Sequence, residues 1–326
     1  MTEIDDNPID DPLTDPNPLA VAELDPRQLT DELGDEGLGL GTKPKSFGRQ
    51  TLEGFLRHRL AVVGFVTLTT IVFLSLFASR LSPYTFSDIN IADRALGPSR
   101  AHPFGTDDLG RDLFVRIFDG TWISLKLAFI VAIVSTAVGT VLGALAGYFG
   151  RWVDGIITQI INLLLVVPGL VVLIVFAIKF RSTYIQVALV ISILSWIRIA
   201  RIVRGQFLQL KELEFVQAAR ASGAGPLRII FRHLIPNVMG PVLVEITLTA
   251  SAAIILGATL SFLSLGVQPP TPELGNIINE FKGSIDSRPS RVLIPGFLLM
   301  AIAMSLNFMG DGLRDALDPR TRKVRQ

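Results

Sequence analysis

The sequence predicts an all-α polytopic membrane protein with six transmembrane helices, and three observations lead to it. Of the 326 residues, 49% are hydrophobic and 18% charged, which is more apolar than an ordinary soluble domain. Charge-free runs recur at the length that carries a helix across a bilayer core, about 20 residues for about 30 Å. Lys and Arg concentrate in alternate connections between those runs, the asymmetry that orients membrane proteins. Cysteine is absent, which excludes disulfides, thiolate metal sites and thiol nucleophiles.

Residues 1–46 read as a disordered acidic tail. Six prolines fall in this stretch, and residues 1–42 carry 12 Asp or Glu against one basic residue, Arg27. A segment so charged and so poor in apolar side chains cannot offset the entropy of ordering. It has neither the basic start nor the apolar core of a secretory signal. The Gly-rich run at 37–43 has Thr42 where a phosphate loop needs Gly directly before its Lys, so it reads as a flexible linker. The net charge of +1 thus hides an acidic tail on a basic body.

The spans follow. Residues 60–79, 127–150 and 155–178 are uncharged throughout, 182–197 is a shorter run flanked by Arg181 and Arg198, 238–265 is broken only by Glu245, and 292–310 closes the series. With the N-terminus placed inside, the inner segments hold 18 basic residues and the outer ones 11. Both termini are therefore expected in the cytoplasm. The coarse division is the tail (1–46), a first span with its outer loop (47–122), and a six-span core's remaining body (123–322).

The fourth connection is unusual. "EFVQAARASGAGPLRIIFRHLIPN" (214–237) is polar and helix-forming between apolar segments. Leu210, Leu213, Val216 and Ala219 recur about one turn apart, and three alanines keep the surface slim. Gly223 suits a helix C-terminus. Gly225 and Pro226 stop one helix and start the next, and 227–234 resumes with Arg228 and Arg232 four apart. Two readings stand open on physics alone: a rigid lever that docks on a partner, or an amphipathic helix lying on lipid headgroups.

These residues resemble the "EAA" loop of permease subunits from ATP-binding cassette importers. Ala218, Ala219, Gly223 and Pro236 match its pattern in register, while Gln217, His233 and Ile235 replace its Glu, Ile and Leu. The peptide-importer version, with "AARA-G", "IFRH" and "PN", fits better. Three further stretches are similar to the same subfamily: "HPFGTDDLGRD" (102–112), "LSFLSLGVQPPTPELGN" (260–276) and "LNFMGDGLRDALDPR" (306–320). The chain, over about residues 47–322, is thereby identified as a member of the DppC/OppC-type permeases of dipeptide and oligopeptide importers, the binding-protein-dependent inner-membrane components.

The resemblance implies the rest. The fold would be that of a type I ABC importer permease in the bacterial inner membrane. The excursion, about 212–235, would hold the coupling helix, with Glu214, Phe215, Ala218, Ala219, Arg220, Gly223 and Ala224 facing a cytoplasmic ATPase. Gly105, Thr106, Asp107, Gly110, Arg111 and Asp112 would form a structural element of the outer loop. Partners would be a second permease of DppB/OppB type, one or two ATPases of DppD/DppF or OppD/OppF type, an extracytoplasmic solute-binding protein and the peptide itself. ATP and Mg would be bound by the ATPases, with no cofactor and no metal in this chain, and no nucleic acid as partner.

Other residues are read on their own merits. Gly139, Gly143 and Gly147 form a ladder that lets helices approach closely, for packing or for lining a path. Pro168 with Gly169 predicts a kink in the third span. Glu245, an acid inside a span, either faces a path or bonds a neighbouring helix. The three histidines have no metal-ligand spacing, and no catalytic constellation is visible. A secondary transporter or channel is the alternative reading, and it would be expected to show an internal repeat and more intramembrane charge. A membrane enzyme would need a catalytic cluster at membrane depth, and a scaffold would depend on the acidic tail.

Overall fold

The computed structural model describes residues 47–179 and 183–317. The expected disordered tail, 1–46, lies outside the described residues. Two units separate between Gln50 and Thr51, and the first is described only where the opening helix begins. The elements in order are α1 (Phe47–Arg57), α2 (Arg59–Leu81), a 3₁₀ turn (Ile91–Asp93), α3 (Leu113–Phe149), α4 (Arg151–Val166) and α5 (Gly169–Lys179). They continue with α6 (Tyr184–Leu210), α7 (Glu214–Ala221), α8 (Pro226–Ile229), α9 (Ile235–Phe262), α10 (Leu274–Phe281) and α11 (Ser290–Leu317). The described residues form no β-ladder beyond one isolated bridge, Thr106 to Asp112.

Five helices are long and apolar enough to cross a membrane: Arg59–Ala78, Leu113–Phe149, Tyr184–Leu210, Pro226–Phe262 and Ser290–Leu317. The sixth expected span is a pair, α4 and α5, bent by 87°. The sequence predicted a kink there, and the break is sharper. Val167 sits in extended conformation (φ −84°, ψ 130°), as steric clash with the following Pro168 ring requires. Pro168 also lacks the amide that would continue the ladder.

The helix α3 begins 14 residues before its expected apolar run, at Leu113. Its 37 residues extend about 55 Å, well beyond a bilayer core. Asp112 starts it by accepting from Val115 N at 2.9 Å, which satisfies one of the orphan amides of the first turn. The glycine ladder lies along the contact between α3 and α6. A Cβ at Gly139 would meet Trp196 O at 2.7 Å, one at Gly143 would meet Ala200 O at 2.5 Å, and one at Gly147 would meet Phe207 Cβ at 2.5 Å. Without those glycines the two backbones could not lie together. Elsewhere α11 packs against α2 and α9, Gly64 facing Ser305 and Phe308 across the first of these contacts.

Candidate functional site

Three features of this frame bear on function. The first is the hairpin of α7 and α8. The expected stripe from Leu210 to Ala219 is interrupted, because α6 ends at Leu210 and α7 starts at Glu214. Leu213 stands at the break, 47% exposed. What holds the hairpin is a compact apolar cluster in which Phe207, Val216, Ile229, Leu234 and Val238 are fully buried. Each such burial contributes about 1.5–3 kcal/mol, so α7 and α8 are pinned to α6 and α9. Gly223, at φ +81°, makes the turn, a backbone region that L side chains rarely adopt. Pro226 occupies the first turn of α8, and α8 runs through a π turn (Ile230–Leu234) into α9. The expected simple helix over 227–234 is therefore four α-helical residues followed by a wider turn.

On the outer surface of the hairpin Glu214, Phe215, Ala218 and Gly223 are exposed, and Ala219 and Ala224 half-exposed. Arg220 lies with its guanidinium 5.9 Å from the Tyr148 ring of α3. Lys211 Nζ donates to Gly147 O at 3.2 Å, and Arg204 pairs with Asp154 of α4. The hairpin is thus bound to α3, α6 and α9, and α6, from which it leaves, is tied in turn to α4.

The second feature is at the opposite end of the helices. Asp107, fully buried, accepts from Leu109 N, Arg111 N, Arg111 Nε and Arg116 Nη1 at 2.5–2.9 Å. Glu280 of α10 binds the same two guanidiniums, at 2.7 Å to Arg111 and 2.6 Å to Arg116. Arg291 of α11 donates to Thr106 O at 2.6 Å and meets Asp108 at 3.1 Å. Asp112 accepts a hydrogen bond at 2.7 Å from His102 Nδ1, whose ring stacks on Tyr84. Thr106 ties the strap to Asp93 O and Leu96 N. Gly105 and Gly110 have φ near +77°, at +78° and +76°, and a Cβ on Gly110 would run into Asn90 O. All six residues singled out in this loop, Gly105 to Asp112, are brought together.

Beside that strap Glu273 caps α10. It is buried and accepts from Ser124 Oγ, Gly275 N and Asn276 N. Burial pushes its carboxyl above the ordinary range, against those hydrogen bonds and one from Ser261, which lower it. A raised folded-state value means that the folded chain holds this proton after the unfolded chain has lost it. The stability that Glu273 contributes is therefore fully present below the usual glutamate value, about 4.3, and is lost as pH rises through the raised one. The apparent melting temperature of the purified protein is expected to drop over that interval, and Glu273→Gln to flatten the drop. An unchanged slope in the variant would remove Glu273 as its source.

The third feature is a charge pair within the spans. Glu245 on α9 is 7% exposed and its Oε2 lies 2.8 Å from Arg198 Nη2 on α6. No aligned donor reaches that oxygen. Among the described residues no group of three His, Asp or Glu is placed to hold a metal ion.

Residues 139–323 match the model of the family described as "binding-protein-dependent transport system inner membrane component". Residues 46–98 match the N-terminal transmembrane domain of oligopeptide transport permease C. The dipeptide transport system permease protein DppC of Alkalihalophilus pseudofirmus is 38% identical over 84% of this chain and 90% of that protein. The chain belongs to the binding-protein-dependent transport system inner membrane components. The oligopeptide permease OppC of Bacillus subtilis is 36% identical over 87% of this chain and 93% of its own length. The glutathione permease GsiD of Pectobacterium atrosepticum is 37% identical over 84% and 91%. A solved chain of the MetNI methionine ABC transporter shares the fold at TM-score 0.51, with 21% identity, covering 63% of this chain and 97% of that one.

The resemblance read from four short stretches is therefore borne out, and so is the all-helical importer-permease fold. As a transport permease subunit of this family the chain is a multi-pass membrane protein and not an enzyme. Several residues of this inner membrane component escaped the sequence reading. Arg116, Glu280 and Arg291 complete the loop network, Glu273 caps α10, and Arg198 faces Glu245. The one local signal was Arg116, nine residues after Asp107 and four after Asp112, on the first turn of a helix whose start was placed too late.

Proposed function

We propose that this chain is the C-type permease subunit of an ATP-driven importer for dipeptides or oligopeptides, forming half of the translocation pathway. The observation that carries the coupling part is the α7–α8 hairpin, whose small exposed residues project from an anchored base that continues into α9. In this reading the hairpin docks on a cytoplasmic ATPase through Glu214, Phe215, Ala218, Ala219, Arg220, Gly223 and Ala224, Arg220 being exposed beside the Tyr148 ring. ATPase closure then tilts α9 and drives alternating access, because the two ATPase states contact the hairpin differently. Both termini lie in the cytoplasm, and the strap of residues 102–112 faces the outer mouth. The division is a tail (1–46), a first span with its outer loop (47–122), and a core from residue 123, within α3, to 322.

The peptide substrate is supported by the names of the relatives, among which dipeptide, oligopeptide and glutathione permeases occur. The partners proposed are a second permease of DppB/OppB type, one or two ATPases of DppD/DppF or OppD/OppF type holding ATP and Mg, and an extracytoplasmic binding protein. On this reading nucleotide binding and hydrolysis belong to the ATPases and not to this chain.

Native mass spectrometry of the tagged chain, expressed at its own locus, tests the assembly. Recovery with a second permease and ATPases supports the reading, and recovery alone or as a homo-oligomer returns the channel or secondary-transporter alternative. Ala218→Glu tests the coupling. It places a charge on an exposed helical position, so helix content and amount should hold while ATP-driven uptake falls at least tenfold. Undiminished uptake would leave the hairpin without its partner.

A further inference from the structure

A cleft of about 750 Å³ opens between the α4–α5 bend, α6 and α9, and Arg198 and Arg201 are the ionisable residues of its wall. The glycine ladder fixes its depth. Trp196 lies opposite Gly139 and Ala200 opposite Gly143, so Arg198 stands about eight residues, or about 12 Å, in from the end of α3 at Phe149. Charged side chains at such depth are costly, and they face a cavity or a counter-charge. Arg198 has its counter-charge in Glu245. Its side chain is nevertheless 55% exposed, so much of the guanidinium is open to the cleft. Arg201, one turn further on, is exposed and has no hydrogen bond or ion pair among the described residues. Glu245 is more than nine-tenths buried, with Oε2 lacking a hydrogen bond. Arg198 is therefore paired with one poorly bonded carboxylate and Arg201 with none, so the cleft carries unmatched positive charge among apolar walls such as Leu165 and Ile202.

We propose that this cleft is a carboxylate subsite of the transport path. Arg201 and Arg198 take the carboxylate of the passing solute in the forked geometry that guanidinium offers. Glu245 is the resident carboxylate that holds Arg198 while the site is empty. An incoming group must compete with it, which keeps the site weak enough to release what it binds, as conduction requires. The solute carboxylate is the C-terminal group of a peptide, and that identification rests on the peptide-import reading above.

The test is saturation-transfer NMR on the complete complex in nanodiscs, with dialanine, dialanine amide and propionate as probes. Dialanine is expected to give at least fivefold more signal than its amide. Arg201→Gln should bring the two to parity, Arg201→Lys, which keeps the charge but not the fork, should keep only part of the difference, and Glu245→Gln, which frees Arg198, should strengthen dialanine binding severalfold. Equal signals from dialanine and amide in the wild type, with no dependence of propionate on Arg201, would overturn the subsite. Propionate bound through Arg201 with dialanine ignored would keep the subsite and overturn the peptide reading. Loss of the second permease from the Arg201→Gln complex would make Arg201 an ion of the subunit interface and end the proposal.

Discussion

Replacing Asp107 with alanine is expected to lower the unfolding free energy by about 3–5 kcal/mol, the range found when one partner of a buried ion pair is removed. The carboxylate is fully buried and accepts two backbone amides and two arginines. Its loss leaves Arg116, whose side chain is 5% exposed, with Glu280 alone, itself 38% exposed. Asp107→Asn separates the contributions. Asn Oδ1 can still accept from Leu109 N and Arg111 N, while its amide would face two guanidiniums. A loss intermediate between wild type and alanine is expected. Thermal unfolding of the purified protein in one detergent measures all three. A wild-type midpoint in Asp107→Ala would show that the network contributes nothing to folding.

The second large effect is expected at Gly143. A side chain there meets Ala200 O at 2.5 Å and Val203 Cβ at 2.9 Å, so Gly143→Val must push α6 away from α3. Overpacking costs about 1–3 kcal/mol, and a clash against backbone rather than a flexible side-chain end belongs at the upper limit. Within a bilayer the loss is of close van der Waals contact, since lipid tails are as apolar as the helices. Gly155, with nothing within 4 Å of its Cβ direction, is the control, and Gly155→Val is expected to unfold near the wild-type midpoint. Equal midpoints for the two variants would deny the ladder its packing role.

The spans were legible because apolar length is a one-dimensional property of the sequence. Gly223 and Pro226 marked a turn because their backbone preferences are local. The loop network was not legible, since Arg116 and Glu280 stand 164 positions apart and Thr106 and Arg291 185 apart. Ionic pairing across a fold leaves no periodic trace. The early start of α3 had the same origin. Arg116 and Asp119 argued against a span, and the helix continues through them because Arg116 finds its partners in the loop. Glu245 was visible as an intramembrane acid, but its ion partner Arg198 stands on another helix, where no local pattern points to it.

The π turn at Ile230–Leu234 makes the direction of the hairpin a matter of residue count. Each residue of an α-helix advances the backbone by about 100°, and a π turn accommodates one more residue than the helix on either side needs. Deleting a single residue there would allow an unbroken α-helix from α8 into α9, with composition and polarity nearly unchanged. Because the π turn absorbs that residue within a single turn, the exposed face of α7 would keep nearly the same phase about the α9 axis, whereas a residue added to an α-helical stretch on either side would turn it by about 100°. The chain should therefore tolerate the loss of one residue within the π turn far better than an insertion into the α-helical turns beside it.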